Sequence, residues 1–127
     1  MTPQQRSRNW LKKAGYRVAT VEQDVRIPAR NGKPASMFKR DLFGLGDLLA
    51  ICFGGIAMIQ VTSGSNHATR REKALANDNL EAWLRAGGEF YIHSWRKDAK
   101  GKWRLRVECA DIDGNNQVYF SACEATQ

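Results

Sequence analysis

The sequence predicts an α/β fold, a small mixed sheet flanked by helices, and three observations predict it. A capping-box signature opens the chain, a twelve-residue apolar run is split by a glycine pair, and a later segment alternates apolar and basic residues. The 127 residues, 43% of them hydrophobic, suit one domain over 1–127 with a single core.

The elements follow in order. Thr2-Pro3-Gln4-Gln5 reads as a helix start: Thr2 the N-cap, Pro3 the first helical residue, Gln5 reaching back. Trp10, Leu11 and Ala14 mark one face of that helix, and Gly15 stops it. Residues 16–22 are rich in strand formers. Pro28, Gly32, Pro34, Gly44 and Gly46 predict a long basic loop over 26–46, a length that points to function or mobility.

The stretch GDLLAICFGGIAMIQVTSG comes next. Its apolar run is too short for a membrane span, which needs about 20 residues. Gly54-Gly55 at its centre would cost a helix about 1 kcal/mol per glycine but suits a tight hairpin. The run therefore predicts two buried central strands, 48–53 and 56–61. A turn at Gly54-Gly55 sets Asp47 opposite Thr62, and a turn at Phe53-Gly54 sets it opposite Gln60. Either register puts Asp47, Gln60 and Thr62 on one face at one end of the sheet.

A helix over 67–86 is predicted next, capped by Ser65 or Asn66, with Ala76, Leu80, Trp83 and Leu84 as its apolar stripe. Gly87-Gly88 ends it. Residues 89–95 form a strand, 98–101 a turn, and 102–108 a strand in which Trp103, Leu105 and Val107 alternate with basic residues. Residues 118–120 make a short last strand. His93 falls inside a strand, where packing is its expected role. Trp10, Trp83, Trp95 and Trp103 read mostly as core residues, with base stacking by Trp95, beside Arg96-Lys97, as the alternative for that one.

Charge is unevenly placed. Residues 1–40 carry ten Lys or Arg against Glu22 and Asp24, a net +8, while the remainder nets −1. This asymmetry points to a polyanion partner, with a merely solubilising surface as the plain alternative. Cys52, Cys109 and Cys123 have no metal-site spacing, and no apolar leader opens the chain. A reduced, cytoplasmic protein without a membrane segment is the expectation.

Asp47 opening one apolar strand and Gln60-Val61-Thr62 closing the next resemble the motif of the PD-(D/E)XK nuclease superfamily. There an Asp opens the second strand of an α-β-β-β-α-β core, and (D/E)-x-K lies on the third. The longer stretch DLFGLGDLLAI…IQVTSGSNHATRREK is similar to small phage and bacterial proteins of this restriction-endonuclease-like fold, some of them Holliday junction resolvase-like. The resemblance implies a metal-dependent DNA endonuclease using Mg²⁺ or Mn²⁺, with duplex or branched DNA as partner and a homodimer as the expected assembly. It implies metal ligation by the Asp47 carboxylate, the Gln60 amide oxygen and the Val61 backbone carbonyl, with Thr62 as an orienting group. Asp41 and Glu22 are candidate second acids. Lys39, Arg40, Ser65, Asn66, His67, Arg70 and Arg71 are candidate nucleic-acid contacts, the Ser65-Asn66 segment because a helix N-terminus can hold phosphate. Two departures stand out: Gln60 replaces an acid, and Thr62 replaces the lysine. They leave a second reading, a catalytically inactive nuclease fold that binds nucleic acid or a protein. A third is an unrelated α/β protein with an acidic protein partner.

Overall fold

The computed structural model describes residues 1–52 and 54–123. The expected strand end and turn position at Phe53 lie outside them, as does the Cys52 side chain. Helix α1 (Pro3–Lys13) carries the capping box in full, with Gln5 N–H donating to Thr2 Oγ1 (3.1 Å) and Thr2 N–H to Gln5 Oε1 (2.9 Å). Strand β1 (Arg17–Thr20) follows, then β2 (Gln23–Ile27) and β3 (Ser36–Arg40). The central pair is β4 (Leu48–Cys52) and β5 (Gly55–Ser63), and a 3-10 turn (Gly64–Asn66) leads into α2 (His67–Leu75). Helix α3 (Asp78–Arg85) and strands β6 (Glu89–Lys97), β7 (Trp103–Ile112) and β8 (Val118–Ala122) complete the chain.

The fold is α/β. Six strands form a mixed sheet in the order β1-β4-β5-β6-β7-β8, with β5 and β6 parallel and every other pair antiparallel. A parallel pair needs a crossover, and α2 and α3 supply it. The β4 and β5 strands sit inside the sheet, as their unbroken apolar composition predicts. Alternate residues of β5 feed two cores: Ala57, Ile59 and Val61 pack with Leu11 of α1, while Met58 packs with Leu80, Phe90 and Ile92 beside α2 and α3.

Two expectations are corrected. The basic loop over 26–46 is largely a hairpin: β2 and β3 pair antiparallel as a separate two-stranded sheet. Arg30 and Lys33 close its tip, with Asn31 (φ 52°) and Gly32 (φ 78°) both left-handed. Pro28 and Pro34 lie outside the paired positions, so they end strands rather than preclude them. The helix over 67–86 is two helices. The chain breaks at Ala76-Asn77, and Asn77 caps α3 by accepting from Asn79 N–H (2.9 Å), the local competition that makes Asn a poor helix-interior residue.

His93 packs as expected. Trp95 Nε1–H donates to Ser7 Oγ (2.8 Å), and the Ser7 hydroxyl shares a second hydrogen bond with His93 Nδ1 (2.9 Å). Trp95 is thus buried and unable to stack on a base. Burial lowers the His93 pKa to about 3. With the folded value below the unfolded one, stability is complete above pH ~6.5 and is lost as pH falls towards the folded value. Acidifying from about pH 7 to about pH 4.5 should cost about 3 kcal/mol through this residue. Urea unfolding at both pH values, beside His93→Gln, checks it: the variant should lose most of that slope.

Candidate functional site

Gly46 and Asp47 make the entry to β4 irregular. Leu48 pairs with Ile59, yet the Asp47 amide also donates to the Ile59 carbonyl (3.0 Å), a slip of one residue. A side chain on Gly46 would meet Met58 Cγ at 2.5 Å, so only glycine permits this approach. The ladder Leu48↔Ile59 to Cys52↔Gly55 is the register that sets Asp47 beside Gln60.

The slip redirects Asp47. Strict alternation would aim it with Leu49 towards the Leu45–Met58 core, but it is held from the other side. Gln4 Nε2 of α1 donates to Asp47 Oδ2 (3.1 Å), and Val61 N–H donates to Oδ1 (3.1 Å). Asp47 is 5% exposed, and burial raises its pKa to about 6 against the lowering by these two bonds.

Gln60 turns the other way. With its amide nitrogen donating to Leu45 O (2.6 Å) and Asp41 Oδ2 (2.9 Å) both acceptors are satisfied, whereas the opposite orientation gains only a 3.3 Å contact with Val61 O. The first orientation is therefore favoured, and it leaves the Gln60 amide oxygen beside the Val61 carbonyl oxygen. Asp47, Gln60 and Thr62 share one end of the sheet, but Asp47 engages α1 while Gln60 engages the 41–45 segment; the expectation of one common face is corrected by the slip.

Gln60 and Asp41 line a cleft of about 310 Å³ walled by Lys39, Arg40, Arg70 and Lys73. Half-buried Asp41 has its pKa raised by burial first and by Glu22 second, with Arg70 opposing. Glu22 also pairs with Lys39 (3.2 Å). The two candidate second acids thus lie beside the Asp47–Gln60 end, and Asp41 is the carboxylate on the cleft surface. Among the described residues, no three His, Cys, Asp or Glu side chains cluster as a metal-binding group. The donors present are carboxylate, amide and carbonyl oxygens, the chemistry Mg²⁺ and Mn²⁺ accept.

The α2 contacts divide. Arg70 and Lys73 reach the cleft. His67 does not face phosphate, nor is it solvated: at 1% exposure it receives a bond from Ser94 Oγ at Nδ1 (2.7 Å) and donates from Nε2 to Glu108 Oε1 (2.5 Å). Burial lowers its pKa more than Glu108 raises it, so it is neutral. Arg71 is tied to the same Glu108 oxygen (2.8 Å). Ser65 and Asn66 are exposed; both bond Ser63 Oγ, at 3.2 and 3.1 Å. Gln4, Ser94 and Glu108 escape the sequence reading. For Gln4 a signal exists: with Ser7 and Leu11 it makes an i, i+3, i+7 face, and the latter two are buried.

No protein-family model matches this chain, and neither does any curated protein or solved structure. No helix of the described residues is long and apolar enough to cross a membrane.

Proposed function

We propose that this protein is a metal-dependent DNA endonuclease with a restriction-endonuclease-like core. Three things support the fold part: α1, β1, β4, β5, α2 and β6 follow in the order α-β-β-β-α-β, Asp47 opens β4, and Gln60-Val61-Thr62 lies on β5. The observation that carries the function is acidic groups set within a basic cleft. Lys39, Arg40, Arg70 and Lys73 attract a phosphodiester, while Asp41, with Glu22 and Asp47 beside it, would repel one. A divalent cation resolves that conflict by bridging acid and phosphate, and when bound it supplies an activated water and charge relief. Asp47, Gln60 Oε1 and the Val61 carbonyl would hold it once the Asp47 carboxylate turns from Gln4 and Val61 N–H towards Gln60, with Asp41 facing the cleft. Arg70 and Lys73 stand where a positive charge can replace the lysine that Thr62 lacks. Branched DNA and a dimeric assembly remain part of this proposal through the resemblance.

The test uses the full chain with Mg²⁺ or Mn²⁺ on linear, nicked, single-stranded and four-way DNA, beside Asp47→Ala. Cleavage that requires both the metal and Asp47 is the expected outcome, with a preference for Mn²⁺ because only amide and carbonyl oxygens supplement one certain carboxylate. Gln60→Glu should tighten metal binding. If wild type and the Gln60→Glu/Thr62→Lys variant both stay inert on all four substrates, catalysis is refuted. The non-catalytic reading, which the neutral residues at 60 and 62 favour, then replaces it.

A further inference from the structure

The β2–β3 hairpin stands apart from both cores. It forms its own sheet, and neither strand contains a buried residue. A two-stranded ribbon exposed on both faces is marginal by itself, so its retention calls for a contact outside the fold. Over residues 23–40 it carries five Lys or Arg against Asp24 alone, a net +4. The bases follow its length, with Arg40 and Lys39 at the root, Arg26 midway, and Arg30 and Lys33 flanking the tight tip. Among the described residues, Arg26, Arg30 and Lys33 make no ion pair.

The root adjoins the cleft. Glu22 immediately precedes β2 and Asp41 immediately follows β3, while Lys39 bonds Glu22 (3.2 Å) and clasps the two ends. Between the charges lie exposed Ile27, Met37 and Phe38. We infer that this ribbon is an arm that enters the major groove of B-form DNA beside the cleft, so that the substrate is DNA with intact duplex next to the reacting phosphate.

The inference rests on the nuclease reading and adds the form of substrate to it. Paired strands lie about 5 Å apart, and the major groove, about 12 Å wide, admits a two-stranded ribbon. Arg26, Arg30 and Lys33 reach the phosphates along the groove walls, and the apolar side chains meet base edges and thymine methyl groups. An RNA duplex has a major groove too deep and narrow for this entry, and a single strand has no groove. Pro28 and Pro34 beside the tip remove backbone donors there, which disfavours capture of another strand along the ribbon edge. The positive charge spread along the ribbon suits the phosphate backbone of a duplex.

Fluorescence anisotropy of the full chain in chelator, with a DNA duplex, one of its single strands, and an RNA duplex of equal sequence, tests this. The variant Arg26→Ser/Arg30→Ser/Lys33→Ser alters only exposed side chains, and an unchanged melting temperature verifies its fold. It should bind the DNA duplex about 10- to 100-fold more weakly, with the salt slope reduced by about three, while single-strand affinity moves by less than about two-fold. Wild type that binds DNA, with a variant that binds the duplex equally well, overturns the arm and leaves the nuclease reading intact. Equal wild-type affinity for the RNA duplex, or equal losses on duplex and single strand, overturns the groove assignment alone. If wild type binds no DNA form, both readings fail. If the variant turns a dimer of the free protein into a monomer, the ribbon is a self-contact and the proposal falls.

Discussion

If the proposed nuclease reading holds, replacing Asp47 with asparagine abolishes DNA cleavage; at neutral pH without metal it is expected to stabilise the protein by about 3 kcal/mol. The two effects have one cause. Burial raises the Asp47 pKa from 3.8 to about 6, so the folded state favours the neutral acid. A raised folded value means stability is fully present below the unfolded pKa and is lost as pH rises from about 4 through about 6. Asparagine is neutral throughout. Its oxygen can still accept from Val61 N–H, and the Gln4 amide can turn to accept from its nitrogen. The variant's stability should therefore stay flat across that window through this site, and exceed wild type above it. Divalent metal should reverse the order, because a ligand that binds only the ionised native site stabilises wild type in proportion to ln(1 + [L]/Kd). DNA affinity should hold or tighten, since a negative charge near phosphate is gone. Urea unfolding across pH, with and without Mn²⁺, reads the first effect, and cleavage of four-way and linear DNA reads the second. Equal stabilisation of both proteins by Mn²⁺ would remove Asp47 from the metal site.

Local chemistry made much of the fold legible. The Thr2–Gln5 box fixed the start of α1, the Gly54-Gly55 pair divided the apolar run, and two-sided burial placed β4 and β5 inside the sheet. The β2–β3 ribbon was not legible. Its strands bury no face, so no alternation marks them, and Pro28, Gly32 and Pro34 read as loop residues when they shape the flanks and tip of a hairpin. The break between α2 and α3 was signalled only by Asn77-Asp78-Asn79, three poor helix-interior residues within an otherwise continuous pattern. At the site, Asp47, Gln60, Asp41 and Glu22 come to one region, although Asp47 and Gln60 turn to opposite sides of it. The direction of Asp47 was not readable, because it depends on the slip against Ile59 and on Gln4, 43 residues away. The Ser94–His67–Glu108 chain was hidden for the same reason, being assembled from β6, α2 and β7.

That chain governs the last prediction. Glu108 accepts from His67 Nε2–H and from Arg71 on one oxygen, and Arg106 Nη2 lies 3.8 Å from it. Burial pushes its pKa up, but the His67 and Arg71 bonds outweigh this and leave it below the usual carboxylate range. Glu108→Ala strands a buried imidazole N–H and an Arg71 guanidinium that is only part-exposed, and should destabilise the protein by about 3 kcal/mol. Glu108→Gln keeps an acceptor for both groups and should cost less than half as much. The pH dependence has a definite sign. His67 has a folded pKa below its unfolded value near 6.5, and Glu108 one below 4.5, so both contribute stability that is lost as pH falls through those ranges. Because the network anchors the first turn of α2, its loss should also loosen Arg70 and Lys73 over the cleft and, if the proposed nuclease reading holds, weaken DNA binding. Hydrogen exchange at α2 amides, beside urea unfolding, separates the two effects. Unchanged protection in α2 together with full destabilisation would confine Glu108 to the sheet, and would detach the network from the cleft.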